Sequence, residues 1–282
     1  MSGKGRKTAF YATWFLPPAA PLECCRRVKE AGFDGASFLA GTLADPRRLD
    51  LLSERDAAEL RDGLVEIGLD RSLHVSTPDY IDRATDLSAA LATLKRHVKA
   101  GVEALSGPGL PPLNVTLDPP LRWTAGEPWQ PSEIAADLVA FLASLTDSYD
   151  VRPGLENWPY LPVGTPEALA AQLLAGGGKV GVLLDAGHAH IALSRRWCEQ
   201  DDMAGFVRAL PAPIVEVHFH DNHGATDEHL VPGEGTADLR GLLDAVFAAG
   251  FRGPFTIECN LSTRGFSTLA DALSHIRASY GL

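Results

Sequence analysis

The sequence has few of the features that mark secreted, membrane-spanning or zinc-finger proteins. It holds only four cysteines, of which Cys24 and Cys25 are adjacent while Cys198 and Cys259 stand alone. This spacing gives neither a paired-cysteine zinc site nor a disulfide framework. No apolar run approaches the length of a membrane span, and the opening MSGKGRKT lacks the apolar core of a signal peptide. We therefore predict a reduced, soluble, cytoplasmic protein.

Basic residues are also scarce. The chain has 25 Lys and Arg against 36 Asp and Glu, which gives a formal net charge of −11. Nucleic acid and anionic membrane surfaces attract basic proteins and repel acidic ones. We therefore expect neither nucleic acid nor a membrane as a partner. The sequence does not define an oligomeric state, and a homo-oligomer stays open.

Apolar residues, in contrast, make up 45% of the 282 residues, which is enough for one large core. Eight strand-like segments alternate with helical segments, and no Ser-, Gly- and Pro-rich linker divides them. Such alternation predicts parallel strands with helical connections, closed into a single (β/α)₈ TIM barrel. We expect the barrel domain to span residues 8–282, after a flexible N-terminus at residues 1–7. The strands are predicted at residues 8–14, 35–39, 69–76, 113–117, 151–156, 179–185, from 214 onward, and 254–258.

Helices are predicted between these strands. Ser53 and Thr165 are the expected N-caps of two of them, and Gly68 and Gly250 are expected to end two. The alternative fold is an open, doubly wound sheet, which normally binds a nucleotide at a Gly-rich turn after its first strand. The sequence has no G-x-G-x-x-G there, so the barrel is favoured. The predicted helices cover residues 21–31, 53–67, 86–100, 132–145, 165–175, 201–210, 238–249 and 267–280.

The stretch from Ile214 to Gly235 has an unusual density of metal-binding side chains. It begins as a β-branched strand, and four of the nine histidines fall within it. One reading is a polar loop with solvated histidines. The other is an active site, because α/β barrels place their catalytic groups where strands end. The groups are His218, His220, Asp221, His223, Asp227 and His229, followed by the chain-breaking PGEG at residues 232–235.

Four consecutive predicted strands end in a carboxylate or an imidazole. These residues are Glu156, Asp185, His218 and Glu258, about one strand–helix unit apart. The strand ends of a barrel share one rim, so we predict that the four side chains converge on one divalent ion. Three carboxylates and one imidazole suit Mn²⁺ first, with Mg²⁺, Co²⁺ or Zn²⁺ as alternatives.

Further residues are expected around this ion. His188, three residues after Asp185, is predicted to face the same cavity. Trp158 and Trp14 are candidates for contact with a sugar or ring face.

The residues after His218 allow more than one role. His220 is a candidate supporting group behind the ligands, and Asp221 is predicted to orient His218. Asp227 and His229 could hold a second metal or order the PGEG loop. For these two we favour the second role.

Several motifs together resemble the xylose isomerase-like TIM barrel superfamily, of the sugar phosphate isomerase/epimerase type, which also holds ketose 3-epimerases and apurinic endonucleases. The resemblance covers the whole length and is most specific between residues 154 and 258. It implies that Glu156, Asp185, His218 and Glu258 bind one metal, and that the two glutamates serve as catalytic acid and base. The motifs are GLEN (154–157), LLDAGH (183–188), VHFHDN (217–222), the D-x-H before PGEG, and GPFTIE (253–258).

The expected function is that of a metal-dependent isomerase or epimerase acting on a sugar, cyclitol or related hydroxy-ketone through an enediolate. Glu156 and Glu258 are the expected acid and base, and His188 is expected to hydrogen-bond the developing oxyanion. A lyase or dehydratase acting on a keto-sugar, inosose or glycoside would use the same site. A non-catalytic sugar-binding subunit has no need of the complete ligand set.

The sequence departs from two branches of the superfamily. The endonuclease branch has histidines on its third and fourth strands; His74 matches the first, but Thr116 stands about where the second belongs. Together with the net charge, this argues against an apurinic endonuclease. His74 is then free to contact the substrate or support the site. The ketose 3-epimerase branch has an arginine soon after its seventh-strand histidine, where this chain has Gly224. No phosphate-binding motif points to a phosphorylated substrate.

Overall fold

The chain folds into a closed barrel of eight parallel strands, as predicted. A computed structural model describes residues 9–12, 20–40, 49–81, 84–120, 133–159, 162–259 and 269–282. Each strand pairs with its neighbours in sequence, and the first closes against the eighth. The predicted flexible residues 1–7 lie outside the described residues. Strands β1 to β8 are Phe10–Ala12, Gly35–Ala40, Asp70–Val75, Leu113–Leu117, Val151–Glu156, Gly181–Asp185, Ile214–Phe219 and Phe255–Ile257.

Most helices end close to the predicted positions because their capping residues are used, but the helix predicted over residues 86–100 continues to Leu105. The Ser53 side chain accepts a hydrogen bond from the Asp56 amide, and Gly68 ends that helix at φ 61°. Thr165 caps a second helix in the same way. Two helices were not predicted, α3 and α7. Helices α1 to α10 are Pro21–Glu30, Glu54–Ile67, Pro78–Ile81, Leu87–Leu105, Glu133–Leu145, Pro166–Leu173, Ala186–Ser194, Met203–Ala209, Leu239–Ala248 and Leu269–Tyr280. Among the described helices, none is at once long and apolar enough to cross a bilayer.

Within β3, successive side chains alternate between the surrounding helices and the barrel interior. Leu73 of β3 is fully buried and faces α4, where a Cβ on Gly101 would lie 2.8 Å from it. Its neighbours Ser72 and His74 point inward and make their contacts across the barrel. The hydrophobic core therefore lies between the sheet and the helices, and the interior is left for polar chemistry.

A bulge in β7 sets the position of its inward-facing residues. Val182 of β6 pairs with Ile214, but Leu183 pairs with Glu216, so Val215 is an extra residue. Gly154 and Gly181 leave room for it, since a Cβ at these positions would lie 2.5 and 2.7 Å from its methyl groups. Beyond the bulge the regular register resumes, and it brings the strand ends of β6 and β7 side by side.

A layer of hydrogen-bonded polar groups fills the barrel interior below the strand ends. Glu216 of β7 is fully buried, and its carboxylate accepts hydrogen bonds from the Ser72 and Thr256 hydroxyls and from the Asn114 amide. These donors stand on β3, β8 and β4, so the contacts connect opposite sides of the barrel. Three donors replace the hydration that the carboxylate loses on burial.

Removal of this shared acceptor should destabilise the barrel. We expect Glu216→Ala to lower the free energy of unfolding by about 3 kcal/mol, since leaving a buried donor unpaired costs roughly 1–3 kcal/mol. Urea unfolding followed by circular dichroism measures this loss. Glu66→Ala, at an exposed position of α2, is the control and should change stability by less than about 0.5 kcal/mol. Equal stability of the two variants would contradict the role given to this layer.

Candidate metal and substrate site

The four residues predicted to bind a metal lie together at the C-terminal ends of β5 to β8. Glu156, Asp185, His218 and Glu258 each present a ligand atom within 4.8 Å of the others. All four side chains are buried. Asp185 and His218 are register neighbours on β6 and β7, as a result of the bulge. Three carboxylate oxygens and one imidazole nitrogen could hold a divalent cation.

His218 tests whether this set fits a metal ion. Its Nδ1 lies 2.8 Å from Glu258 Oε2, 3.6 Å from Glu156 Oε1 and 3.8 Å from Asp185 Oδ2. Neither ring nitrogen has hydrogen-bond geometry with a partner among the described residues, although His218 is only 2% exposed. A buried nitrogen that faces three carboxylates without a hydrogen bond has the surroundings of a metal ligand. The residues therefore fit a divalent ion.

Asp185 has a second role, which explains why His188 faces the same cavity. Its carboxylate caps α7 by accepting a hydrogen bond of 2.6 Å from the His188 amide. The helix begins directly after β6, so no loop carries His188 away. The His188 ring lies with Nδ1 3.3 Å from Glu156 Oε1 and donates to the Asn157 carbonyl at 2.7 Å.

Asn157 fastens the ends of β5 and β6 to each other, a role that was not predicted from the sequence. Its amide donates to the Asp185 carbonyl at 2.9 Å and accepts from the Asp185 amide at 2.7 Å. The two bonds fix the spacing between Glu156 and Asp185 through the backbone. The only signal in the sequence was a buried-type amide directly after a strand.

The loop after β7 brings Asp227 and His229 against the site. Asp227 Oδ2 lies 3.3 Å from His188 Nε2 and 2.9 Å from His229 Nε2. His229 Nδ1 donates to the Glu258 carbonyl at 2.9 Å. His229 also has a φ of 47°, a conformation that residues other than glycine adopt at a cost. The contacts with Asp227 and Glu258 hold it there.

His220 supports the carboxylate of Asp185 from behind. It is fully buried, and its Nε2 lies 2.9 and 3.0 Å from the two oxygens of Asp185. Its ring also stacks on that of His229, with centroids 4.3 Å apart. A Cβ on Gly187 would lie 2.1 Å from the His220 ring, so only glycine permits this approach of α7.

Asp221 does not orient His218, so that prediction was wrong. Its carboxylate accepts hydrogen bonds from the backbone amides of Asn222, Gly233, Gly235 and Ala237. A carboxylate beside a tight turn binds the free amides of that turn, and the sequence does not show where these amides lie. Asp221 therefore organises the PGEG segment, which packs so closely that a Cβ on Gly235 would lie 2.3 Å from an Asp221 oxygen.

Charge interactions shift the pKa values of the buried groups in opposite directions. Burial alone would raise the pKa of Glu156, but the neighbouring imidazoles of His188 and His218 hold it well below its ordinary value. Burial would lower the pKa of His218, yet Glu258 and Glu156 hold it well above its ordinary value. For His229, Asp227 and Glu258 likewise outweigh burial and raise the pKa to about 9. The imidazoles thus supply the positive charge that the carboxylates require, and a divalent ion could supply it instead.

A cavity of about 290 Å³ opens onto this group of residues. Trp158 stands at its wall, edge-on to His188 with ring centroids 5.7 Å apart, where an aromatic contact with substrate was predicted. Trp14, the other aromatic candidate, lies outside the described residues. The lining residues are Leu39, His74, Ser76, Asp118, Glu156, Trp158, His188, Asp227, His229 and Glu258.

Asp118 is a lining residue that was not predicted. It follows β4 directly and is 3% exposed, and its Oδ1 lies 2.9 Å from His74 Nε2. The other ring nitrogen of His74 is 2.9 Å from Thr116 Oγ1. Burial raises the pKa of Asp118 to about 8, against the effect of His74 and with a further contribution from Glu156. The sequence feature that marks Asp118 is the one that identified Glu156, Asp185 and Glu258, a carboxylate where a strand ends.

Comparison with known proteins agrees with this architecture. A family profile described as xylose isomerase-like TIM barrel matches residues 25–278. The chain belongs to this family. Two uncharacterized proteins are related over part of its length: MJ1311 of Methanocaldococcus jannaschii, 33% identical over 42% of this chain, and ML2432 of Mycobacterium leprae, 28% identical over 53%. The matches span only 40% and 56% of these two relatives.

Solved structures of this xylose isomerase-like fold superpose over nearly the whole chain. A D-tagatose 3-epimerase-like protein gives a TM-score of 0.70 at 21% identity, with 97% of both chains covered. An L-ribulose 3-epimerase gives 0.67 at 19%, covering 97% of this chain and 93% of that one. The 3-keto-D-glucoside 4-epimerase of E. coli gives 0.66 at 18%, covering 96% and 100%. At these identities the likeness concerns the fold.

Loss of the Asp221 carboxylate should loosen the loop that carries Asp227 and His229. We expect Asp221→Ala to lower the free energy of unfolding by at least about 3 kcal/mol, since four hydrogen bonds to a charged group are lost and each contributes roughly 1.5–3 kcal/mol before its amide is rehydrated. Hydrogen exchange read by mass spectrometry should speed up in residues 222–237. Asp221→Asn keeps one acceptor oxygen and should fall between. Unchanged exchange in Asp221→Ala would rule out this role.

Proposed function

We propose that this xylose isomerase-like barrel is a divalent-metal-dependent isomerase or epimerase of an uncharged sugar, cyclitol or related hydroxy-ketone. The observation that carries the proposal is the meeting of Glu156, Asp185, His218 and Glu258 at the strand ends, where both glutamates line the cavity. Two of the four are glutamates, so the set offers both a metal site and a pair of proton-transfer groups in one place.

The metal would be held by these four side chains. When bound, a divalent ion supplies positive charge that polarises a substrate carbonyl and its neighbouring hydroxyl. Mn²⁺ is the first choice for an oxygen-rich set with one imidazole, and Mg²⁺, Co²⁺ and Zn²⁺ are the alternatives. The hydrogen-bond-free nitrogen of His218 supports the presence of a cation.

The proton transfers fall to the two glutamates. One carboxylate removes the proton from the carbon between carbonyl and hydroxyl, and the other returns a proton to the enediolate. Glu156 and Glu258 flank His218 Nδ1 at 3.6 and 2.8 Å, so both reach the region where a chelating substrate would lie. His188 lines the same cavity and would hydrogen-bond the oxygen on which negative charge develops.

The nature of the cavity wall supports a neutral, hydroxylated substrate. Its described lining holds four carboxylates and three imidazoles but no lysine or arginine. A phosphate or carboxylate on the substrate would therefore lack the guanidinium or ammonium partner that usually binds such groups. The fold neighbours act, by their names, on ketoses and a keto-glucoside, which is the same substrate class.

The first test concerns the metal. We expect about one Mn²⁺ or other divalent ion per chain in the purified protein, and its removal by a chelator should abolish turnover until metal is restored. His229→Ala should weaken activity while metal content stays near one per chain, because His229 fixes a loop by hydrogen bonds. Elemental analysis of wild type and variant measures this. Two or more ions in the wild type, with one lost in the variant, would assign His229 and Asp227 to a second metal instead.

The second test concerns the two glutamates. Glu156→Gln and Glu258→Gln should each lower kcat by at least about a hundredfold, because general acid–base groups contribute roughly 10²–10⁴-fold. A panel of ketoses, inososes and keto-glycosides in D₂O, followed by NMR, measures both turnover and deuterium uptake. Metal content of each variant must be determined, so that loss of metal is not read as loss of a proton-transfer group.

The same experiment separates the competing reactions. Deuterium uptake at the carbon beside the carbonyl, with no group lost, supports an isomerase or epimerase. Loss of water or of a glycosidic group after proton removal identifies a lyase or dehydratase at the same site. A variant within about tenfold of wild type, or roughly 1.4 kcal/mol of barrier, would remove that glutamate from the acid–base pair.

A further inference from the structure

One wall of the cavity is built by residues that the proposed reaction leaves unused. Asp118 and His74 stand at the ends of β4 and β3, on the Oε2 side of Glu156, where the His74 ring also meets that of His218 edge-on with centroids 4.9 Å apart. Both line the cavity and are nearly fully buried. Buried polar side chains at a cavity surface are costly unless a partner completes their hydrogen bonds.

The His74 ring is fixed in place. Its Nδ1 lies 2.9 Å from Thr116 Oγ1, and β3 and β4 pair His74 with Thr116 in register. The other nitrogen, Nε2, faces Asp118 Oδ1 at 2.9 Å and Glu156 Oε2 at 3.5 Å. The imidazole therefore presents its Nε2 edge to two carboxylates at the cavity surface.

Asp118 has an incomplete set of hydrogen bonds. Although Oδ1 is close to His74, the contact lacks hydrogen-bond geometry, and this buried oxygen has no donor among the described residues. A substrate hydroxyl entering the cavity would supply that donor. The same hydroxyl could accept from His74, since a hydroxyl both donates and accepts.

The two carboxylate oxygens of Glu156 face different neighbours, and the pair lies on the Oε2 side. Glu156 Oε1 faces His188 and His218, whereas Oε2 faces His74. A substrate held at Glu156, Asp185, His218 and Glu258 would place its carbonyl and adjacent hydroxyl on the Oε1 side of Glu156. Groups on the far side of the acid–base carboxylate would then meet Asp118 and His74.

We propose that Asp118 and His74 bind a hydroxyl of the substrate outside the reacting carbonyl–hydroxyl pair, which makes the substrate an uncharged polyhydroxylated ketone. The assignment rests on the proposed function for the place of the reacting carbons. It adds two residues that would determine specificity by binding the part of the substrate that is remote from the reacting carbons. A ketone without a remote hydroxyl would leave the buried oxygen of Asp118 unpaired and bind weakly.

Isothermal titration calorimetry on the Mn²⁺-loaded full chain tests this with D-tagatose, D-fructose and 2-keto-myo-inositol, followed by the monodeoxy analogues of whichever binds most tightly. Asp118→Ala should raise Kd for the parent ketone about tenfold to a hundredfold, the range expected when a buried hydrogen-bonding group loses its partner. With wild type, one monodeoxy analogue should bind more weakly than the parent ketone by the same factor. With Asp118→Ala, that analogue should bind no more weakly than the parent ketone. Asp118→Asn, which keeps one acceptor oxygen, should lose less and serves if Asp118→Ala fails to fold. Asp137→Ala, an exposed carboxylate paired with Lys95, is the matched control and should bind like wild type.

Three results would overturn the proposal. In the first, every deoxy analogue loses affinity equally with wild type and Asp118→Ala, so no hydroxyl is coupled to Asp118. In the second, metal content falls in Asp118→Ala, which makes the residue a metal ligand. In the third, none of the three ketones binds, or D-fructose 6-phosphate binds more tightly than D-fructose. These are binding measurements, so they are independent of turnover. Coupling of one hydroxyl to Asp118 without deuterium uptake would reject only the proposed function. Deuterium uptake without such coupling would reject only the role of this pair.

Discussion

The mutual repulsion of buried carboxylates is the constraint on which the rest of the site depends. Glu156, Asp185 and Glu258 present oxygens within 4.8 Å of one another and of a His218 nitrogen, out of contact with bulk water. Two like charges about 5 Å apart repel by about 3 kcal/mol at an effective dielectric constant of about 20, and burial adds to this cost. Positive charge must therefore be supplied at the same point. Protonated imidazoles do so in the pKa pattern of this chain, and a divalent ion is the stronger and more compact source. Bringing these charges together lowers the stability of the fold, as expected of a functional site.

The barrel holds these charges together through contacts that lie outside the charged group itself. The bulge at Val215 sets Asp185 beside His218, and Asn157 joins the ends of β5 and β6 by two hydrogen bonds. Below them, the Glu216 layer connects the strands across the interior. Above them, Asp221 gathers the amides of the PGEG segment. The site is thus fixed from three sides by contacts that would persist with or without a bound ion, which favours preorganisation over assembly on binding.

The sequence predicts the fold and the central group well because both follow from periodicity. Alternating strands and helices define the barrel, and strand ends share a rim, so Glu156, Asp185, His218 and Glu258 could be placed together without coordinates. Asp118 follows the same rule, although it stands one residue beyond the predicted fourth strand. Asp221 was wrongly assigned because the partners of a loop carboxylate depend on how the turn folds back, which no spacing in the sequence expresses. The role of Asn157 likewise depends on which backbone groups its amide reaches. Strand ends are therefore predictable, and side-chain partners in loops are not.

The contacts of Asp227 bear on how many ions the site would hold. One of its oxygens is shared between His188 Nε2 and His229 Nε2, at 3.3 and 2.9 Å. His229 uses its other nitrogen on the Glu258 carbonyl, and His188 uses its own on the Asn157 carbonyl. Each imidazole thus has one nitrogen committed to a backbone carbonyl and one directed to the same carboxylate, which is also how a ligand histidine is oriented toward a metal. His229 differs from His188 in its backbone conformation, which has a φ of 47°. That conformation is held by the bond from Nδ1 to Glu258, so His229 transmits the position of the metal-type carboxylate to the loop. A loop that hydrogen bonds already fasten in this way needs no second ion to hold it. The contacts therefore favour a single ion, with Asp227 and His229 hydrogen-bonded over it.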